Sequence, residues 1–175
     1  MTQQFVHLHC HTEFSLLESP IRIKNLIKSA QKMEMPAIAM TDNGAMYGAI
    51  DFYLQMKEQG LNPILGAEVF VTSNHLEKDR SFSSLILLAK TYKGYQNLAK
   101  IVSIGHLDGF YYRPRVDKSI LEKYTEDLIA ISPLSRGVVA EALRVNNSEQ
   151  AEAEVAFYQG LYNDDFYLGL ERLGN

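Results

Sequence analysis

Short apolar runs alternate with amphipathic stretches along the whole chain. Residues 5–9 (Phe5, Val6, His7, Leu8, His9) alternate with period two, which predicts a strand. Pro20 opens a helix on which Ile23, Leu26, Ile27 and Ala30 share one face. Residues 37–41, bounded by Pro36 and Asp42, read as a buried strand. Ile50, Tyr53, Leu54 and Lys57 mark a second helix, stopped by Gly60. Residues 64–72 are rich in β-branched and aromatic side chains and form a third strand, and residues 84–89 a fourth. Tyr95, Leu98, Ala99 and Val102 stripe a helix, and Asp117 caps another over residues 118–124. Residues 128–131 give a fifth strand. Two helices follow, at 138–145 and 148–162, the second capped by Asn147 with Gln150. Residues 166–170 give a sixth strand, and the polar stretch 73–83 is a surface loop.

Strands alternating with helices predict an α/β fold with a mostly parallel sheet. Near-continuous apolar strands predict helices on both of its faces. No internal repeat, linker or low-complexity tract interrupts the pattern, so one domain is expected.

Composition narrows the function classes. The chain has 175 residues, with 17 Lys+Arg against 21 Asp+Glu and a net charge of -4. With 46% hydrophobic and 22% charged residues it is neither disordered nor fibrous. The mild acidic excess gives no global pull toward nucleic acid. Cys10 is the sole cysteine, which excludes an internal disulfide and a paired-cysteine zinc site and fits a reducing cytosol. The longest apolar run, residues 85–89, is far short of the roughly 20 residues a membrane span needs. A soluble, cytoplasmic protein with no membrane partner is the expectation.

Candidate chemistry gathers at strand ends. His7, His9 and His11 stand at i, i+2 and i+4 of one run, and side chains at that spacing share a strand face. Imidazoles so placed converge on one metal ion, and any two of the three satisfy the parity. Asp42 begins Asp42-Asn43-Gly44 at the end of the second strand; it either meets a metal or a ligand histidine, or simply makes a turn. Glu68 interrupts an apolar strand, where a carboxylate is costly unless paired, metal-bound or at the rim. Active sites of parallel α/β folds assemble at the carboxyl ends of strands. Residues 111–115 (Tyr111, Tyr112, Arg113, Pro114, Arg115) mix aromatics and cations, as single-strand binders do, though so short a patch is more often a solvated loop. The sequence has no P-loop, no GxGxxG and no GxSxG.

The stretch His9-Cys10-His11-Thr12-Glu13-Phe14-Ser15-Leu16-Leu17 resembles the opening motif of the PHP (polymerase and histidinol phosphatase) family. The resemblance is closest to its replicative branch, the N-terminal PHP domain of the bacterial DNA polymerase III alpha subunit. Residues 40–48, 66–69, 87–90, 94–98, 109–115 and 166–168 match in the family's order. Of these, Gly94-Tyr95-Gln96-Asn97-Leu98 and Phe110-Tyr111-Tyr112-Arg113-Pro114-Arg115 belong to the polymerase branch. The resemblance implies a distorted (β/α)7, TIM-like barrel with a three-metal site for phosphoester hydrolysis. About six of its strands fall within the chain, which reads as the N-terminal part of a PHP domain, residues 1–175. An unclosed sheet of that kind is expected to be marginally stable alone.

Carried over position by position, His9 and His11 match paired ligands, Asp42 matches, and Glu68 matches a bridging ligand. Glu18 stands where the polymerase branch usually has Asp. Asn43, Ser84 and Leu134 stand at positions where the family has metal-binding histidine or cysteine. The final Asp-x-His pair falls beyond Asn175. Amide, hydroxyl and alkyl groups are poor replacements for imidazole and thiolate, so the resemblance implies a degenerate site for Zn2+ or Mn2+. The expected role is structural and exonuclease-docking, within the rest of the alpha subunit. DNA and Mg2+ would be engaged only by the polymerase regions, which are absent here. The alternative is an active metallophosphoesterase, proofreading 3′ ends or cleaving a small phosphate ester.

Overall fold

The computed structural model describes residues 5–170. Its elements fall where the hydrophobic pattern places them, but the second helix buries Ala49, Phe52 and Met56 and leaves Ile50, Tyr53 and Leu54 exposed, the reverse of the stripe read from sequence. Helix α1 (Ile23–Lys32) buries Ile23, Leu26, Ile27 and Ala30, the stripe read from sequence. Strand β1 (Ala37–Asn43), helix α2 (Ala49–Glu58) and strand β2 (Asn62–Val71) come next. Gly60, at φ +71°, makes the turn after α2 that an L side chain resists. Strand β3 (Ser83–Ala89) leads into α3 (Tyr92–Leu107), capped by the Thr91 hydroxyl. After them come β4 (Phe110–Tyr111), β5 (Arg113–Val116), α4 (Lys118–Lys123), β6 (Leu128–Ser132), α5 (Val138–Arg144), α6 (Ser148–Tyr162) and β7 (Phe166–Leu168). Asp117 caps α4 by accepting from the Ile120 amide at 3.3 Å, and Asn147 caps α6 by accepting from the Gln150 amide at 3.0 Å.

Further expectations need correction. Residues 5–9 form no laddered strand. They run beside β1, held by backbone bonds from Ala39 to His7 and from Thr41 to Cys10, both 2.8 Å. The sheet is mixed rather than mostly parallel. Pairs β1/β2, β2/β5 and β6/β7 are parallel, whereas β2/β3, β3/β6 and β4/β5 are antiparallel. The cause lies in the connections: the polar loop 72–82 carries no crossover helix, so β3 returns antiparallel to β2. The β4–β5 hairpin occupies residues read only as an aromatic and basic stretch.

The sheet order is β4-β5-β2-β3-β6-β7, with β1 also on β2. Strand β1 covers residues 62–68 of β2, and β5 continues the same edge at residues 70–71. The sheet is open among the described residues, so an α/β architecture is established and barrel closure is not.

One face carries the main core. Ala67, Val69, Leu85 and Leu87 pack under Leu98 and Ile101 of α3, Leu121 of α4, Val139 of α5 and Tyr158 of α6. A second cluster joins Ile38 and Met40 of β1 to α1 and α2 through Ile27, Phe52 and Met56. Among the described residues no helix covers the opposite face, against the expectation of two covered faces. Ala39, Ile86, Leu88 and Ile131 form its apolar floor, beneath a trough of about 1090 Å³ walled by residues 5–9 and 167–170. Glu68 lies on this concave face, two residues from Gly66, whose missing Cβ lets Leu88 approach.

Candidate metal centre

The segment at residues 9–11 alternates its side chains as a strand does. Cys10 turns toward the α1 and α2 core, and burial pushes its thiol up to about 11, so it stays protonated at neutral pH. His9 and His11 turn the other way, onto Glu68. His9 Nε2 lies 2.7 Å and His11 Nε2 2.9 Å from Glu68 Oε2, and the two ring nitrogens are 3.2 Å apart. His7 lies apart from them and meets Phe5 edge-on at 4.8 Å.

This triangle fits a divalent cation. Two donors at about 2.1 Å from one ion lie roughly 3.0 Å apart at right angles and about 3.4 Å apart in a tetrahedron. All three donor atoms fall within 4.8 Å of one another. Without a cation, two imidazole nitrogens facing each other and one oxygen compete for the same protons. Burial pushes the Glu68 carboxyl up, yet the hydrogen bonds from His11 and His9 outweigh it and hold the pKa well below the usual carboxylate range. The site therefore keeps an anion beside two imidazoles at neutral pH. Ser84, 1% exposed, has a hydroxyl that closes no well-formed hydrogen bond although it lies within electrostatic reach of Glu68. A buried hydroxyl this close to Glu68 helps keep the carboxylate ionised for an ion.

The other sequence candidates are engaged elsewhere. Asp42 is fully buried and accepts three short bonds, from the Thr12 amide (2.5 Å), the Ser15 hydroxyl (2.6 Å) and the Thr12 hydroxyl (2.6 Å). Glu18 accepts from Asn43 Nδ2 at 2.5 Å and from Arg113 Nη2 at 3.2 Å. Leu134 is 45% exposed. The structure thus brings His9, His11 and Glu68 together, and holds Asp42, Glu18 and Asn43 in separate protein contacts.

Several supporting residues escaped the sequence reading. Thr12 and Ser15 lock the 12–19 turn to Asp42, and the Ser19 hydroxyl donates to the His11 carbonyl at 2.8 Å. His106 closes on the Gly44 carbonyl at 2.7 Å and pins the turn after β1. Their one sequence signal was the density of Ser and Thr after the histidine run, which favours local side-chain-to-backbone bonds. Arg115 is 2% exposed, and its guanidinium donates to the carbonyls of Gly109, His75, Glu77 and Asp79. It is a clamp for the 73–82 loop, which no periodicity could reveal.

Residues 7–172 match the PHP domain. The chain belongs to the PHP domain family. It is similar to the DNA polymerase III subunit alpha of Borreliella burgdorferi, at 43% identity over 98% of the chain and 15% of that protein. It is also similar to that of Aquifex aeolicus, at 38% over 98% and 16%. Helicobacter pylori strain 26695 gives 37% over 97% and 15%. The PHP chain thus spans about 15% of the length of the curated relatives it matches. A crystal structure of a putative metal-dependent phosphoesterase from Bifidobacterium adolescentis is 19% identical with a TM-score of 0.44, covering 57% of this chain and 32% of that one. No helix among the described residues is long and apolar enough to cross a membrane.

Proposed function

We propose that this chain is the N-terminal PHP module of a cytoplasmic replicative polymerase alpha subunit. In this reading it holds one divalent ion, Zn2+ or Mn2+, between His9, His11 and Glu68, and acts as a structural and docking domain. The observation that carries it is the contrast within the site. Three donors converge, whereas Asp42 and Glu18 are already satisfied by Thr12, Ser15, Asn43 and Arg113. A multi-ion phosphoesterase needs most of those carboxylates free. DNA synthesis and its Mg2+ belong to the complete alpha subunit, and the proofreading exonuclease is the proposed docking partner.

A bound ion would supply Lewis acidity and an acidic water at this site. The chain's own residues do the rest: Glu68 keeps its negative charge, His9 and His11 present their ring nitrogens, and Cys10 stays out as a thiol. The second reading is an active phosphoesterase, favoured by the unsatisfied Ser84 hydroxyl beside Glu68. Metal analysis together with 3′-exonuclease and phosphatase assays on the complete polypeptide decides between them. One ion per chain with no His9-dependent turnover supports the structural role. Metal-dependent turnover lost in His9→Ala and His11→Ala variants would overturn it in favour of the second.

A further inference from the structure

One strand away from the metal triad lies a second cluster with an unusual composition. Asn43 is the register partner of Glu68 across β1 and β2. Its side-chain amide donates to one oxygen of Glu18 at 2.5 Å, and Arg113 donates to the other at 3.2 Å. Both carboxylate oxygens are therefore occupied, and a fixed positive charge sits against them.

This is more than a passing surface pair, which would contribute little. The guanidinium carbon of Arg113 lies 4.9 Å from the Phe70 ring centre and 5.1 Å from that of Phe82, so two rings limit its freedom. The backbone beside it is equally confined. A Cβ on Gly44 would meet Pro114 Cγ at 2.5 Å, and Gly44 has φ +56°, so the 43–44 turn and the 113–114 strand are in close contact. Asn43 is tied a second time through its amide, which donates to the Ser15 hydroxyl at 3.1 Å.

The donors point the wrong way for an ion. Asn43 presents its NH2 to Glu18, the hydrogen-bonding posture of an amide serving a carboxylate. An amide is also a weak metal ligand beside imidazole. We infer that the Arg113 guanidinium occupies the cation position next to the His9/His11/Glu68 triad. It acts as a built-in counter-charge to Glu18 that keeps a second divalent ion out. The inference deepens the single-ion reading above and rests on it for the triad. It predicts that adding a good ligand at position 43 is not enough, and that the arginine must also go.

The test counts ions per chain by elemental analysis after gel filtration in Mn2+ or Zn2+, with Co2+ absorption as a second readout. Four proteins of full length are compared: wild type, Asn43→His, Asn43→His/Arg113→Met, and that double variant with Glu18→Gln. Methionine keeps the apolar stem between Phe70 and Phe82. The double variant should gain one ion over wild type, half-saturating at a concentration roughly tenfold or more below that needed by Asn43→His alone. Glu18→Gln should remove the gain. Should the methionine variant fail to fold by circular dichroism, Arg113→Gln replaces it with the same expectation. A gain in Asn43→His alone at the concentration that half-saturates the double variant, no gain in the double variant, or a gain that survives Glu18→Gln each overturns the inference. The score is a difference from wild type, so an ion-free wild type sinks the single-ion reading without deciding this one.

Discussion

Asp42 is the residue whose removal most directly tests how the site is held. Its carboxylate, fully buried, accepts three bonds of 2.5 to 2.6 Å from Thr12 and Ser15, themselves 0% and 2% exposed. Each bond to a charged acceptor contributes about 1.5–3 kcal/mol, and each buried donor left unmatched costs about 1–3 kcal/mol. The full sum is an upper bound, because the two hydroxyls can rotate and the turn borders solvent at Leu16 and Leu17. Asp42→Ala should therefore destabilise by about 3–5 kcal/mol. For a chain of this size 1 kcal/mol shifts Tm by about 2–4 °C, so a drop of roughly 10 °C follows. Asp42→Asn keeps one acceptor oxygen and should lose about half as much. The assay is urea unfolding of metal-free protein, run with Ser15→Ala in a double-mutant cycle. The cycle should return a coupling of about 1 kcal/mol or more. An Asp42→Ala protein within 1 kcal/mol of wild type, or additive single effects, would refute the view of Asp42 as the anchor of this turn.

Three further outcomes are expected. Burial opposes ionisation of Asp117, but hydrogen bonds from Ser119 and His75 win and hold its carboxyl at about 2. Its folded pKa lies below the unfolded value, so its contribution is complete above about pH 4 and fades as pH falls toward 2. Asp117→Asn should flatten the Tm curve over that window, and parallel curves would contradict the assignment. Gly94→Ala places a methyl 2.1 Å from the Asp127 carbonyl oxygen; the clash should outweigh the roughly 1 kcal/mol gain in helix propensity, and a stabilised variant would disprove it. Arg115→Met takes the guanidinium from the carbonyls of His75, Glu77 and Asp79 in the 73–82 loop, while Gly109 keeps its bond from the backbone amide of residue 115, so limited proteolysis within residues 74–80 should speed up about tenfold. Unchanged cleavage would remove Arg115 as the clamp.

The helices were legible because each must bury one stripe, and period 3.6 is visible in a single sequence; α1 follows from it directly, whereas α2 and α3 were located but their buried faces were not, since α3 turns Gly94, Asn97, Leu98 and Ile101 inward. Strand existence was legible too, but strand direction was not. Nothing in the apolar run 84–89 distinguishes a parallel strand from an antiparallel one, and only the helix-free loop before it held the clue. Residues 5–9 look like a strand by alternation, yet none of them enters a core cluster; Phe5 and Leu8 are exposed and all five line the trough. They lack the ladder because β1 supplies few backbone partners there. Within the site, alternation left His7, His9 and His11 open and the apolar run marked Glu68; the family resemblance chose His9 and His11. The sequence could not show that Asp42 turns to Thr12 and Ser15, because those bonds depend on the path of a turn. The Glu18–Arg113 pair joins residues 95 positions apart, a separation that no local pattern encodes.

Strand β2 pairs with β1, β3 and β5, which makes its amides the natural candidates for the slowest hydrogen exchange in the chain. Glu68 sits in the middle of it. His9 and His11 sit on a segment tied to β1 by few backbone bonds. The triad therefore bridges the central strand of the sheet and a segment outside its ladder. A local opening that lifts residues 5–11 away dismantles it while leaving every strand of the sheet in place. Loss of the site and loss of the fold are then two separate events with separate free energies, and the first is much the smaller.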